Sequence, residues 1–342
     1  MRLRRLVAAL VAALVLSSVG AGWMYRRIRS PYRGFAGAEV FVELPTGTSV
    51  ARIGSRLAEA GVVPDPWTFR IAVRLAGADR RLQAGEYRFA EAATPSAVVA
   101  RLAGGDVYRR PMTFPEGLTM AEMAAVFERG GLGPAADFQA AANEPALRAA
   151  HAPEARSLEG YLFPDTYPLA RRASAADVVA AMLAGFDRAF DAGLRAAAVE
   201  RGLSVHAVVT LASLIEKETA RAEERALVSA VYHNRLRKRI ALQCDPTVIY
   251  ARMLAGTWNG NLRKVDLQMN SPYNTYRFPG LPPGPIASPG RASLEAAVRP
   301  ADVPYLYFVS RNDGSHVFAA TLAEHNRNVA LWQVKYFKRK ME

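Results

Sequence analysis

Ser204-Val-His-Ala-Val-Val-Thr-Leu-Ala-Ser-Leu-Ile-Glu-Lys-Glu218 spells a helix that ends on a carboxylic acid set on its apolar side. Ser204 suits the N-cap, because its hydroxyl can accept a bond from a free amide of the first turn. At about 100° per residue, Glu218 shares one face with Leu211, Leu214 and Ile215, whereas Glu216 points away from that stripe. A carboxyl surrounded by aliphatic groups resists ionisation, so its pKa is expected to rise toward neutrality and leave a proton to donate. Glu218 is therefore the candidate acid of the chain. The alternative is a glutamate at a fraying helix end whose head reaches solvent past the last apolar residue.

Toward the N-terminus, Val40-Phe-Val-Glu-Leu44 alternates like a strand, and Pro45-Thr-Gly-Thr-Ser49 turns and caps a helix carrying Val50, Ile53 and Leu57. A helix over 67–75, a strand over 85–89 and a helix capped near Thr94-Pro95 complete a small unit over 38–110. Its strand, two helices and strand resemble the LysM carbohydrate-binding module, a likeness of fold that assigns no ligand. Alanine-rich helices follow to about residue 200, interrupted by the aromatic, turn-rich Leu158-Glu-Gly-Tyr-Leu-Phe-Pro-Asp-Thr-Tyr167.

Toward the C-terminus a further helix is expected from Glu223 to about Arg239, with Leu227, Ala230, Val231 and Asn234 on one face. Asn234 could hydrogen-bond a substrate or tie down a neighbouring loop. Leu242-Gln-Cys-Asp-Pro-Thr-Val-Ile-Tyr250 reads as a loop delivering Asp245 as N-cap and Pro246 as first helical residue, with catalysis as the other role open to Asp245. The loops Ser271-Pro-Tyr-Asn-Thr-Tyr276 and 278–290 have the composition that lines clefts, and tyrosine and asparagine suit sugar rings and hydroxyls. Tyr305-Leu-Tyr-Phe-Val309 is expected as a buried strand. Its partner, Gly314-Ser-His-Val-Phe318, puts His316 near a turn, where it touches substrate or caps the sheet. The fold class is α+β, with a larger mixed domain over 111–342 that holds a glycan-binding cleft.

Composition narrows the function. An apolar share of 51% and a charged share of 22% are those of a folded chain, and 44 Lys plus Arg against 31 Asp plus Glu leave a net charge of +13. That balance favours anionic surroundings, and without a tight basic cluster interleaved with aromatics nucleic acid is the weakest of them. One cysteine, Cys244, rules out an intrachain disulfide framework, and the five histidines show no metal-ligand spacing, so neither metal nor cofactor is expected. From Leu6 to Tyr25 no residue is charged, about 30 Å of helix at 1.5 Å per residue, enough for a membrane span. Trp23 and Tyr25 suit the far interface, and residues 26–37 read as a polar tether. Arg2, Arg4 and Arg5 before the span and Arg26, Arg27 and Arg29 after it leave orientation unsettled by charge. A cleaved signal peptide is the competing reading, since Ser17-Ser-Val-Gly-Ala-Gly22 is rich in small residues.

These blocks together resemble the endolytic murein transglycosylases, the MltG or YceG-like family. The likeness rests on Glu159-Gly-Tyr-Leu-Phe-Pro-Asp-Thr-Tyr167, Ala212-Ser-Leu-Ile-Glu-Lys-Glu-Thr219, Asn234-Arg-Leu236, the 242–250 segment and Tyr273-Asn-Thr-Tyr276. It continues through Gly280-Leu-Pro-Pro-Gly-Pro-Ile-Ala-Ser-Pro-Gly290, Pro304-Tyr-Leu-Tyr-Phe-Val309 and His325-Asn326. The resemblance implies residues 1–5 in the cytoplasm, a single pass through the inner membrane and a periplasmic body. It also implies cleavage of nascent peptidoglycan glycan strands beside the synthases, the penicillin-binding proteins. The family's catalytic glutamate falls on Glu218. Candidate substrate contacts are Glu159, Asn234, Gln243, Asp245, Thr247, Tyr273, Asn274, Tyr276 and His316. Cys244 departs from the hydroxyl residue expected at that position. The rival readings are a lysozyme-like muramidase, with Asp245 or Glu159 as second carboxylate, and a wall-binding scaffold without activity.

Overall fold

The computed structural model describes residues 2–335. They fall in two compact units divided between Arg110 and Pro111. The first unit holds α1 (Arg2–Arg29), β1 (Val40–Leu44), α2 (Val50–Glu59), α3 (Pro66–Leu75), β2 (Gly85–Phe89) and α4 (Pro95–Gly104). Strands β1 and β2 pair antiparallel, with Val42 opposite Tyr87 and Leu44 opposite Gly85. The alternation puts Val42, Leu44, Tyr87 and Phe89 on the inward face, over Ile53, Leu57, Phe69, Val73, Val98 and Leu102. Helices α2, α3 and α4 start where the sequence supplies a cap: Ser49, Asp65 and Thr94 accept from Arg52, Thr68 and Ala97 amides.

Helix α1 contains a stretch, Leu6–Arg29, long and apolar enough to cross a membrane. It overruns the segment expected as a tether. Residues 26–29 are helical, Ile28 is buried in the core of the first unit, and Tyr32 bridges antiparallel to Ala93. Most of that segment is thus docked structure, because Ile28 and Tyr32 have apolar surface to bury that a free linker would leave in water.

The second unit continues with β3 (Arg110–Thr113), α5 (Met120–Arg129), α6 (Ala135–Ala142), α7 (Pro145–His151), β4 (Thr166–Leu169), α8 (Ala175–Ala189) and α9 (Ala192–Glu200). Then come α10 (Val205–Glu218), α11 (Arg225–Arg237), α12 (Asp245–Leu254), α13 (Arg291–Val298), β5 (Tyr307–Ser310), β6 (His316–Ala319) and α14 (Leu322–Val329). Two further two-stranded sheets form, β3 with β4 and β5 with β6. Helix α10 is the centre of this unit. Every residue from Val208 to Ile215 is buried, Ser213 included, so the helix is enclosed on all sides and not merely along one stripe. Ser204 caps it as expected, and Ser213 Oγ accepts from Ile286 N at 3.0 Å, fastening it to the proline-rich loop.

Two expectations need correction. Strand β5 is shorter than 305–309 and only half-buried, because a two-stranded ribbon leaves one face open. Asp245 is not an N-cap: the cap position is Cys244, which makes no side-chain capping bond, and Asp245 opens the helix with Pro246 second. An acid in the first turn still complements the helix dipole, while its side chain is free to bond elsewhere.

Candidate active site

Glu218 is the last helical residue of α10, and Thr219 turns the backbone to an extended φ of −142°. A carboxylate is disfavoured there, where the dipole is negative. From α11, Tyr232 Oη donates to Glu218 Oε1 at 2.8 Å. The buried thiol of Cys244, just before α12, lies against the carboxyl and the phenol, near enough to shift the pKa of each. Burial pushes the Glu218 pKa up, the Cys244 and Tyr232 bonds pull it down, Asp245 raises it and His316 lowers it, with a net rise. The acid is therefore desolvated as expected, but by a phenol and a thiol as well as by aliphatic neighbours. The side chain is half-buried and not loose at a frayed end.

Three further elements close around it. Tyr276 Oη donates to Asp245 Oδ1 at 2.5 Å, and both lie within electrostatic range of Glu218. Also within electrostatic range is His316, whose N donates to Glu224 at 2.8 Å and whose Nδ1 pairs with Glu224 at 2.7 Å. Thr219 Oγ1, the residue after the acid, also donates to Glu224 at 3.2 Å. Burial alone would raise the Glu224 pKa, yet the His316 bonds hold it below the usual value. Phe308 stands edge-on to both Tyr232 and His316.

The loop that carries Cys244 is held in an unusual conformation. Gln243 has φ of +54°, a left-handed backbone that costs a non-glycine residue about 1–2 kcal/mol. The pattern is over-determined: Gln243 N bonds Thr275 O, Cys244 N bonds Thr275 Oγ1, and Arg235 Nη1 bonds the carbonyls of Ala241 and Leu242 and the Gln243 side chain. The result aims the Cys244 thiol inward and leaves Gln243 exposed.

Of the candidates named from sequence, Asp245, Tyr276 and His316 are gathered with Glu218, while the exposed Gln243 side chain accepts from Arg235. Thr247 is buried beneath them, bonding Cys244 O and Thr275 Oγ1. Asn234 and Asn274 spend both amide N–H donors within the fold. Asn234 donates to the carbonyls of Val303 and Tyr305 and accepts from Arg237, the loop-tying role the sequence left open. Asn274 donates to Leu267 O and Met269 O and accepts from Tyr276 N, organising its own loop. Glu159 and Tyr273 form a separate cluster. Glu159 is buried, accepts from Met120 N at 2.9 Å and Tyr250 Oη at 3.1 Å, and Tyr273 packs edge-on to Tyr250. Burial pushes the Glu159 pKa up to about 7, and its charged neighbour is Glu122, not Glu218.

Tyr232, Arg235 and Glu224 were missed as site residues. Val228, Tyr232 and Arg235 recur at helical spacing and are all buried, a second face of α11 that the 227, 230, 231, 234 stripe obscured. Glu216 is also better tied than its direction suggested: it accepts from Gly290 N at 3.1 Å and Ser293 Oγ at 2.7 Å, with Arg225 3.8 Å away.

A half-buried carboxylic acid bonded at a helix end by a phenol, with a thiol and a histidine–carboxylate pair in electrostatic range, is an arrangement suited to proton transfer. The model of the YceG-like family matches residues 42–331, and the chain belongs to that family. It is 32% identical over 328 residues to the endolytic murein transglycosylase of Bacillus subtilis, covering 90% of this chain and 89% of that one. The endolytic murein transglycosylase of Streptococcus pneumoniae strain R6 is 29% identical over 95% of this chain, which spans 64% of that longer protein. A crystal structure of a yceG-like protein from Listeria monocytogenes superposes with a TM-score of 0.58 at 31% identity, covering 85% of this chain and 99% of that one.

Proposed function

We propose that this chain is a membrane-anchored endolytic lytic transglycosylase, which cuts nascent glycan strands between MurNAc and GlcNAc and leaves 1,6-anhydroMurNAc ends. In that role it ends glycan polymerisation beside peptidoglycan synthases. The observation that carries the reading is Glu218, a desolvated acid with a raised pKa bonded by Tyr232 Oη, on the segment where the resemblance puts the catalytic glutamate.

Glu218 protonates the glycosidic oxygen as the bond to the muramyl C1 breaks, and the ring takes on oxocarbenium character. The carboxylate so formed, steadied by the Tyr232 hydroxyl and the Cys244 thiol, accepts the proton of the C6 hydroxyl. That oxygen closes on C1, and no water is consumed. Asp245 and Tyr276 offer polar groups on which the sugar is oriented, with exposed Gln243 as a further candidate contact, and His316 with Glu224 supplies charge nearby.

Asp245 also favours a second reading. It is the one of the two proposed second carboxylates that lies beside Glu218, as a muramidase would require. Mass spectrometry of peptidoglycan digested by the full chain separates the two: anhydro ends support the lytic route, and reducing ends heavier by one water support hydrolysis. The Glu218→Gln variant keeps size and removes the proton: turnover equal to wild type would reject Glu218 as the acid, whereas a wild-type chain that binds glycan without cutting it would leave a wall-binding scaffold.

Anchoring in the inner membrane, with the N-terminus cytoplasmic and the body periplasmic, fits α1. Its small residues 17–22 lie within a continuous helix that runs on into the core through Ile28, where a peptidase site needs extended chain. The strand–helix–helix–strand order of the first unit supports the LysM-like assignment, and the glycan strand of this proposal runs past Glu218, Tyr276 and Asp245.

A further inference from the structure

Helix α1 does not end in a free linker. Arg27 Nη2 pairs with Asp65 Oδ2 at 2.7 Å, and Arg27 Nε reaches Thr68 Oγ1 at 3.1 Å, so the end of α1 is riveted to the first turn of α3. Met24 packs on the core of the same unit and Ile28 lies within it. About 20 residues fill a bilayer's hydrocarbon, so a span beginning at Leu6 leaves the interface near Tyr25, and residues 23–29 stand at the level of the headgroups. Asp65, bonded to Arg27, stands there too. Two residues of chain reach no further than about 7 Å, which brings Trp67 to the same level.

Trp67 is 60% exposed, on an outward face that it shares with Arg70 and Arg74. The Arg70 guanidinium lies 5.4 Å from the Trp67 ring centre. The same pairing occurs twice on α1, with Arg27 over Trp23 at 5.0 Å and Arg29 over Tyr25 at 4.9 Å. An aromatic ring with a cation on its face suits the boundary between acyl chains and phosphate, where the ring is half-dry and the cation meets anionic headgroups.

We propose that the Trp67–Arg70–Arg74 face of α3 is a second membrane contact, seated on the anionic leaflet from which α1 emerges, so that the first unit is held against the membrane at two points. The inference rests on α1 being a retained span and is independent of the reaction at Glu218. It is tested with the full chain reconstituted in bilayers containing an anionic lipid, with and without brominated acyl chains. The emission of Trp67 is taken as wild type minus Trp67→Phe, and that of Trp258 as wild type minus Trp258→Phe. The Trp67 difference is expected to be blue-shifted and at least half quenched by bromine, while the Trp258 difference is unchanged. Reversing Arg70 and Arg74 to glutamate should reduce the Trp67 quenching at least twofold. A Trp67 difference equal in brominated and plain bilayers overturns the proposal and returns that face to a protein partner. Quenching unaltered by the two charge reversals overturns the part assigned to anionic headgroups.

Discussion

Tyr232 Oη donates to Glu218 Oε1 at 2.8 Å from a neighbouring helix, so the acid of α10 has a dedicated partner on α11. The bond favours the carboxylate over the acid, opposing the burial that raises the Glu218 pKa. Removing it has a definite sign. Tyr232→Phe should raise the Glu218 pKa further and move the alkaline limb of the rate profile upward, because the proton is retained to higher pH. The carboxylate left after protonating the leaving group loses one charge-assisted bond, and kcat should fall about tenfold. Measurement of kcat against pH for both proteins checks this, and an alkaline limb moved downward would contradict it.

Cys244 should behave as a hydrogen-bonding group and not as a nucleophile. Its thiol is buried and its pKa is raised well above the usual value by burial and by Glu218, so the reactive thiolate is scarce. Native protein should resist iodoacetamide, and unfolded protein should label fully. Cys244→Ser places a stronger donor against the carboxylate, which should lower the Glu218 pKa and bring the alkaline limb down. Rapid alkylation of the folded chain, or a limb that rises in the serine variant, would remove this role.

The contrast between these two residues shows what the sequence could and could not disclose. Helix α10 was legible because Ser204 marks its start and the apolar spacing continues to Glu218, both local signals. The first unit was legible from the strict alternation of Val40–Leu44 and Gly85–Phe89. Tyr232 and Glu224 were not, since their meaning comes from contacts across helices and strands that no local period encodes. Asn234 and Asn274 erred the other way: their amide chemistry suits a sugar, yet loops full of unpaired carbonyls claimed them first. Asp245 was placed one position early at its helix, and its carboxylate went to Tyr276 and not to an amide.

Glu216 tests the difference between chemistry and scaffolding on the same helix. It holds Gly290 N and Ser293 Oγ and faces Arg225, so Glu216→Gln weakens a tie between α10 and α13. Loss of the charge should cost about 1–3 kcal/mol of stability. The folded fraction should turn over substrate at close to the wild-type rate, since no bond to Glu218 is lost. Denaturant midpoints together with kcat per folded molecule check both halves, and a large fall in kcat without loss of stability would assign Glu216 to the reaction.

Glu159 gives the chain a pH-dependent stability of its own. Its pKa of about 7 in the folded protein stands above the ordinary value of 4.5, because burial outweighs the bonds from Met120 N and Tyr250 Oη. Below pH 4.5 the group is protonated in both folded and unfolded chains and its contribution is complete. As pH rises toward 7 the unfolded chain ionises first, so the folded state progressively loses that contribution, by about 3 kcal/mol once both forms are ionised. Glu159→Gln removes the titration while its amide can still accept from Met120 N and donate to Tyr250 Oη. The stability of wild type minus that of the variant should therefore fall between about pH 4.5 and 8, and then level off. A difference that stays flat, or grows with pH, would mean that Glu159 is ionised in the folded protein throughout that range.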